Sequence, residues 1–135
     1  MSLRKSVTSA LMTALLIGGG VAIAPAAHAG SVSTQAATCS FSNSNGYWYA
    51  GHYSGMTASP SSTQVTSAGV EAQCLLKYLG IPGLNTDPGT IDGVFGSNSK
   101  AATKRFQVWV NDTYNAGIAE DGGVGPQTWP WLRSF

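Results

Sequence analysis

One pattern, D-G-x-[FV]-G-x-x-[ST], occurs twice in this chain and limits its fold more than any other feature. The first copy runs from Asp92-Gly93-Val94-Phe95-Gly96 to Ser99. The second runs from Asp121-Gly122-Gly123-Val124-Gly125-Pro126 to Thr128, its aspartate 29 residues after the first. In each copy Asp can bond its own backbone and Gly accepts positive φ, so the chain bends sharply. Phe95 or Val124 then points inward, and Ser99 or Thr128 falls in the first turn of a helix. Asp92, Gly93, Phe95 and Gly96, with Asp121, Gly122 and Gly125, are therefore read as structural turn residues.

Hydrophobic spacing places helices around these turns. Ala72, Leu75, Leu76 and Leu79 recur at i, i+3, i+4 and i+7, the stripe of a helix with one buried face. That helix begins near Ser67 and ends at Gly80, with Pro82 beyond as a stop signal. A second helix spans about Ser97–Asn111, with Ala102, Phe106, Trp109 and Val110 inward, and Ser97 able to cap it. Lys100, Lys104 and Arg105 read as a solvated face. Asn111 to Glu120 reads as a polar loop. The last helix opens at Pro126 and is short, because Pro130 removes a donor and crowds the preceding turn. Trp129 and Leu132 should face inward, leaving Trp131 and Phe135 exposed.

Val70-Glu71-Ala72-Gln73 with Leu76 and Gly80, the first turn, Ala102 and Phe106-Gln107, and the second turn with Thr128-Trp129 and Leu132 together resemble the small peptidoglycan-binding domain of bacterial cell-wall proteins. The resemblance covers roughly residues 64–135, about half the chain. It implies a mainly α fold, a compact three-helix bundle, that holds cell-wall glycan or stem peptide without cutting it. One departure is Ser97, where the family commonly carries Pro. Gln73 occupies the family's glutamine position, where a buried structural hydrogen bond is expected.

The start of the chain reads as export. Arg4 and Lys5 precede the apolar segment Val7–Ile23, and Ala27-His28-Ala29 follows as a small-residue cleavage box, so residues 1–29 read as a secretory signal peptide. Gly30–Phe135 then leaves 106 residues, suited to one small domain. With Arg4 and Lys5 removed, five basic residues face six acidic ones. That balance gives nucleic acid no basic surface to pair with, and no later apolar run is long enough to span a bilayer. The expected product is a secreted, cell-wall-associated monomer. Cys39 and Cys74 are an even count in an oxidising compartment and read as one structural disulfide.

Residues 30–63 form an irregular, disulfide-tethered N-terminal extension. Its aromatic knot, Tyr47-Trp48-Tyr49 with His52-Tyr53, is either a flap packed over the bundle or a surface for stacking sugars. Tyr and Trp suit both roles, each having an apolar face and a polar tip. The nearby Cys39 favours the flap.

Catalysis, a metal and a cofactor are not expected. A zinc site needs three protein ligands, and His52 is the one histidine after the signal. The loop around Asn85 and Asp87 lacks the closing Glu of a calcium loop, since its twelfth position is Gly96. Glu71 and Glu120 do not make the facing carboxylate pair of a glycosidase. Ser97-Asn98-Ser99-Lys100 spells S-x-x-K, but the companion motifs of that chemistry are missing.

What remains is binding. Gln107, Trp109, Tyr114, Asp121 and Trp131, near the turns or on exposed aromatic positions, are the expected contacts to peptidoglycan or another wall polymer. The alternative is an exported protein that binds or inhibits another protein through the same scaffold. Its motive is the lack of a catalytic partner domain.

Overall fold

A computed structural model describes residues 36–135; the predicted signal peptide, residues 1–29, lies outside the described residues. The elements in order are β1 (Ser42–Ser44), β2 (Tyr47–Tyr49), α1 (Ser67–Lys77), α2 (Ser97–Tyr114) and α3 (Trp129–Leu132). Among the described residues the fold is thus chiefly helical, with 11, 18 and 4 residues in three helices.

α1 starts where Thr66, in extended conformation, accepts a hydrogen bond from the Gly69 N–H at 2.9 Å. This satisfies one of the donors that a first helical turn leaves open. The helix ends at Lys77, three residues before Gly80. Its stripe of Ala72, Leu75 and Leu76 is buried, with Leu79 packed at the edge. α2 meets this stripe with Ala102, Phe106 and Val110, and α3 adds Trp129 and Leu132 to the same core. Phe95 and Val124, the apolar residues of the two turns, complete it.

Four local expectations change. α2 is capped by the backbone of Gly96 with no side-chain bond, so Ser97 is its first residue and not its cap. α2 also runs on to Tyr114, where Asn115 closes it at φ 54°. Asn111, expected where the helix gives way to the loop, lies within the helix, donates to the Ile118 carbonyl at 2.8 Å and accepts from the Ile118 N–H at 2.9 Å. Pro126 precedes the final helix, and Pro130 sits within that helix's first turn, where a missing donor costs nothing. The extension, expected to be irregular, holds a hairpin. Asn45 and Gly46 both adopt positive φ, 54° and 85°, the conformation that joins antiparallel strands by two residues.

The two Asp-Gly turns are organised alike, by a pair of buried glutamines. Gln73 on α1 accepts from the Gly93 N–H at 2.8 Å, and its amide donates to Asp92 Oδ1, the Val94 carbonyl and Ser99 Oγ. Gln107 on α2 accepts from the Gly122 N–H at 2.8 Å, and donates to Asp121 Oδ1, the Gly123 carbonyl and Thr128 Oγ1. Each partner of Gln73 thus has its counterpart one repeat later. Gly93 and Gly122 have φ of 81° and 78°, which L side chains rarely adopt. A Cβ at Gly122 would also come within 2.8 Å of the Lys100 carbonyl, because the turn lies directly on the start of α2.

The hairpin segment is bolted down by three devices. The Cys39–Cys74 disulfide, with a sequence separation of 35, links it to α1. Trp129 Nε1 donates to the Ala58 carbonyl at 2.8 Å. The third is a fully buried ion pair, Arg133 Nη1 to Glu71 Oε2 at 2.8 Å. Glu71 also accepts from the N–H groups of Ala50, His52 and Tyr53. Arg133 donates to the carbonyls of Trp48, Tyr53 and Gly55, and its guanidinium lies 4.3 Å from the centre of the Tyr49 ring.

Reducing the disulfide should cost about 3–4 kcal/mol, the loop-closure entropy of a 35-residue separation. Thermal melts with and without reductant check this. Superimposable melts would mean that the buried ion pair and the Trp129–Ala58 bond position the segment without the disulfide.

Candidate functional site

The five residues expected at the ligand surface divide into three places. Trp109, Tyr114 and Trp131 come together. Trp109 and Tyr114 meet edge to face at 5.7 Å, and Tyr114 lies 5.4 Å from Trp131 at a tilt of 33°. Phe135 joins them, 5.2 Å from Trp109 and 5.7 Å from Tyr114. Phe106 underlies the group from the core, its ring 6.2 Å from Trp109. The end of α2 supplies one side of this cluster, and α3 with the residues after it supplies the other. Tyr114 is 49% exposed, while Trp109, Trp131 and Phe135 are half-buried. Mutual packing thus covers Trp131 and Phe135 more than expected.

Gln107 belongs elsewhere. Its side chain is fully buried, and both ends of its amide are committed to the second turn. It cannot reach a ligand without unmaking that turn, so its place at the ligand surface is corrected to a structural one. The error came from reading its neighbourhood in sequence, since helical geometry puts Gln107 and Trp109 on different sides of α2.

Asp121 lies in a third place, exposed in a cleft of about 360 Å³ with Ser59, Gln127 and Thr128. Its Oδ1 accepts from the Gly123 N–H at 2.9 Å, the Asx bond that shapes the turn. The first turn carries the corresponding cleft, about 290 Å³, lined by Asp92, Asn98 and Ser99. An acid, an amide and a hydroxyl thus recur at both turns. Asp92 accepts the matching bond from Val94 N–H at 3.0 Å.

Next to the aromatic cluster, an open groove of about 590 Å³ runs along α2 between Leu84, Lys104, Arg105, Val108, Trp109 and Asp112. Arg105 is held there by its Nε, which donates to the Asn85 carbonyl at 2.6 Å. Lys77 pairs with Asp87 at 3.0 Å on the far side of the same loop. The Gly89 N–H, then Lys77, hold the Asp87 carboxyl below its ordinary pKa. Tyr53 is likewise lowered, because its hydroxyl oxygen accepts from the Ala58 N–H.

Sequence reading passed over Arg133 and Glu71 as the anchor of the hairpin. Glu71 could have been found, because it stands one residue before Ala72 and four before Leu75, on the edge of a buried stripe where a lone acid needs a partner. Nothing local marks Arg133, since its partners lie at Trp48, Tyr53 and Gly55, far away in the chain.

Residues 68–132 match the family model of the putative peptidoglycan binding domain. The match spans α1, both turns and α3, so the resemblance read from the paired turns is shown over this segment. The hairpin, Arg133 and Phe135 fall outside it. No curated protein and no solved structure matches the chain.

Proposed function

We propose, from the premise that residues 68–132 carry a peptidoglycan-binding domain, that this protein is an exported, non-catalytic module that binds bacterial cell-wall peptidoglycan. The observation that carries the site is the cluster of Trp109, Tyr114 and Trp131. Three aromatic residues share one face, each with a polar tip, inside the matched segment. Sugar rings present apolar C–H faces that lie against such rings, while the indole N–H and phenol can bond hydroxyls.

The fold that goes with this reading is a compact three-helix bundle over residues 64–135, with residues 30–63 as a tethered extension. Export rests on the signal sequence in residues 1–29 together with a disulfide of the kind that persists outside the cytosol. Among the described residues no helix is long and apolar enough to cross a membrane. The non-catalytic reading rests on the commitment of Glu71, Asp92 and Asp121 to structural hydrogen bonds.

Retention on insoluble cell walls tests the reading. The wild-type protein should sediment with purified sacculi, and Trp131→Ala should weaken binding by ~30-fold, the equivalent of about 2 kcal/mol for a central aromatic contact. A wild-type protein that stays in the supernatant would sink the function. Equal retention of both proteins would move the site away from Trp131. A fall in turbidity of a wall suspension would replace the non-catalytic reading with a hydrolytic one.

A further inference from the structure

Resting on the wall-binding reading, we propose that the N-terminal hairpin builds a second saccharide subsite that lengthens the glycan-binding surface beyond the family segment. Phe41, Trp48, Leu75, Tyr78, Leu79 and Phe135 line a cleft of about 260 Å³. Phe41, Trp48 and Phe135 lie outside residues 68–132, and Leu75, Tyr78 and Leu79 lie at the end of α1 within them. The cleft therefore exists only because the hairpin is docked on that helix.

Four observations point to an uncharged sugar strand as the occupant. Tyr78 is 60% exposed, Phe41 41% and Trp48 39%, which leaves three ring surfaces open to solvent around one depression. Phe41 and Tyr78 already brace each other edge to face at 5.4 Å, so the walls are pre-set. The lining side chains include no cation or carboxylate, unlike the α2 groove with Lys104, Arg105 and Asp112, so no side chain in it is complementary to a phosphate or an acidic peptide. The volume falls below the ~300–1,000 Å³ of pockets that enclose a small ligand, which suits one ring of a chain passing over the surface.

Continuity supplies the remaining argument. Phe135 is a wall of this cleft and also packs on Trp109 and Tyr114 of the first cluster. One aromatic surface thus runs from Trp131 through Phe135 to Trp48 and Tyr78. A polymer seated on the first cluster meets the second cleft as its neighbour, and two linked contacts raise avidity without new chemistry. The disulfide begins two residues before Phe41 and ends four before Tyr78, so it holds the two walls of the cleft together.

Oligosaccharide length reads this out. The probes are chitobiose and chitohexaose, neutral β-linked N-acetylglucosamine oligomers, titrated into the disulfide-bonded protein and followed by NMR. The hexamer should bind wild type at least ~tenfold tighter than the dimer. Trp48→Ala and Tyr78→Ala should abolish that advantage and leave dimer affinity within about twofold, whereas Trp131→Ala should weaken both. Both side chains are exposed, and unchanged dispersion of the core resonances confirms each fold.

A hexamer advantage that survives in both Trp48→Ala and Tyr78→Ala overturns the subsite. So does hexamer binding that shifts Trp109 and Trp131 but not Trp48. If the protein is retained on sacculi but binds neither oligomer, the subsite falls while wall binding stands. Retention of a protein partner through Trp48, with no saccharide effect, assigns the cleft to a protein interface and overturns the proposal. Loss of wall retention in wild type is the separate failure of the function itself.

Discussion

Arg133→Met should destabilise the fold by about 3–5 kcal/mol, the cost of leaving a buried charge without its partner. Both Arg133 and Glu71 are fully buried, so the carboxylate left behind has no water to turn to. Against the ~5–15 kcal/mol that holds a typical domain together, this is a large fraction. A buried ion pair can often be exchanged for apolar residues at little cost, because desolvation offsets much of the attraction. Here that exchange should fail. Glu71 serves the N–H groups of Ala50, His52 and Tyr53, and Arg133 serves the carbonyls of Trp48, Tyr53 and Gly55.

The double variant Glu71→Leu, Arg133→Met should therefore remain well below wild type, since these backbone groups lose their partners in a buried setting. Urea denaturation of the four proteins in the cycle measures it. Full recovery in the double variant would show that the backbone bonds contribute nothing net and that the pair is dispensable. Arg133 Nε has no hydrogen-bond partner, yet the guanidinium carbon lies over the Tyr49 and Trp129 rings, 4.3 and 4.8 Å from their centres. That placement favours the cation by an estimated ~0.5–2 kcal/mol.

The second large effect concerns the glutamines. Gln107→Met keeps the approximate volume of the side chain and removes all of its polar atoms. The Gly122 N–H, the Gly123 carbonyl and Thr128 Oγ1 then lose a buried partner, at an expected cost of about 2–4 kcal/mol. For a domain of this size that lowers Tm by about 10 °C or more. Gln73→Met should behave alike at the first turn, where Gly93, Val94 and Ser99 are the orphans.

Hydrogen exchange separates the two sites. The Gly122 amide should lose protection in Gln107→Met and the Gly93 amide in Gln73→Met, each without much effect on the other turn. If one substitution exposes both amides, the turns do not form independent units. If neither melts earlier than wild type, the glutamines are passengers.

The sequence carried the turns because their causes are local, while the structural role of Gln73 came with the family resemblance. Asp-Gly bends the chain through its own side chain, and positive φ at Gly93 and Gly122 is a property of glycine that any reader of the chain can use. The second glutamine shows the limit. Gln107 bonds to its turn in the same way as Gln73, across 14–21 residues where Gln73 spans 19–26, so chain distance does not separate the two; that Gln107 is buried against its turn was visible only in three dimensions. The hairpin was legible in Asn45-Gly46, a two-residue turn signal, and was missed because its strands are only three residues long.

By itself, then, the sequence determined where the chain bends, which helix faces are apolar and which family the segment 68–132 resembles. Periodicity and turn chemistry act over a few residues and need no knowledge of what lies across the core. Tertiary structure alone decided that Arg133 reaches back to Glu71 and the hairpin. It also decided that Gln107 is buried while Trp109, two residues on, joins Tyr114 and Trp131, and that Phe135 links the two aromatic clusters. These contacts span up to 85 residues of chain, and their formation depends on every intervening bend. No local rule encodes a distance between two such ends, so how these side chains come together could be read only from the folded molecule.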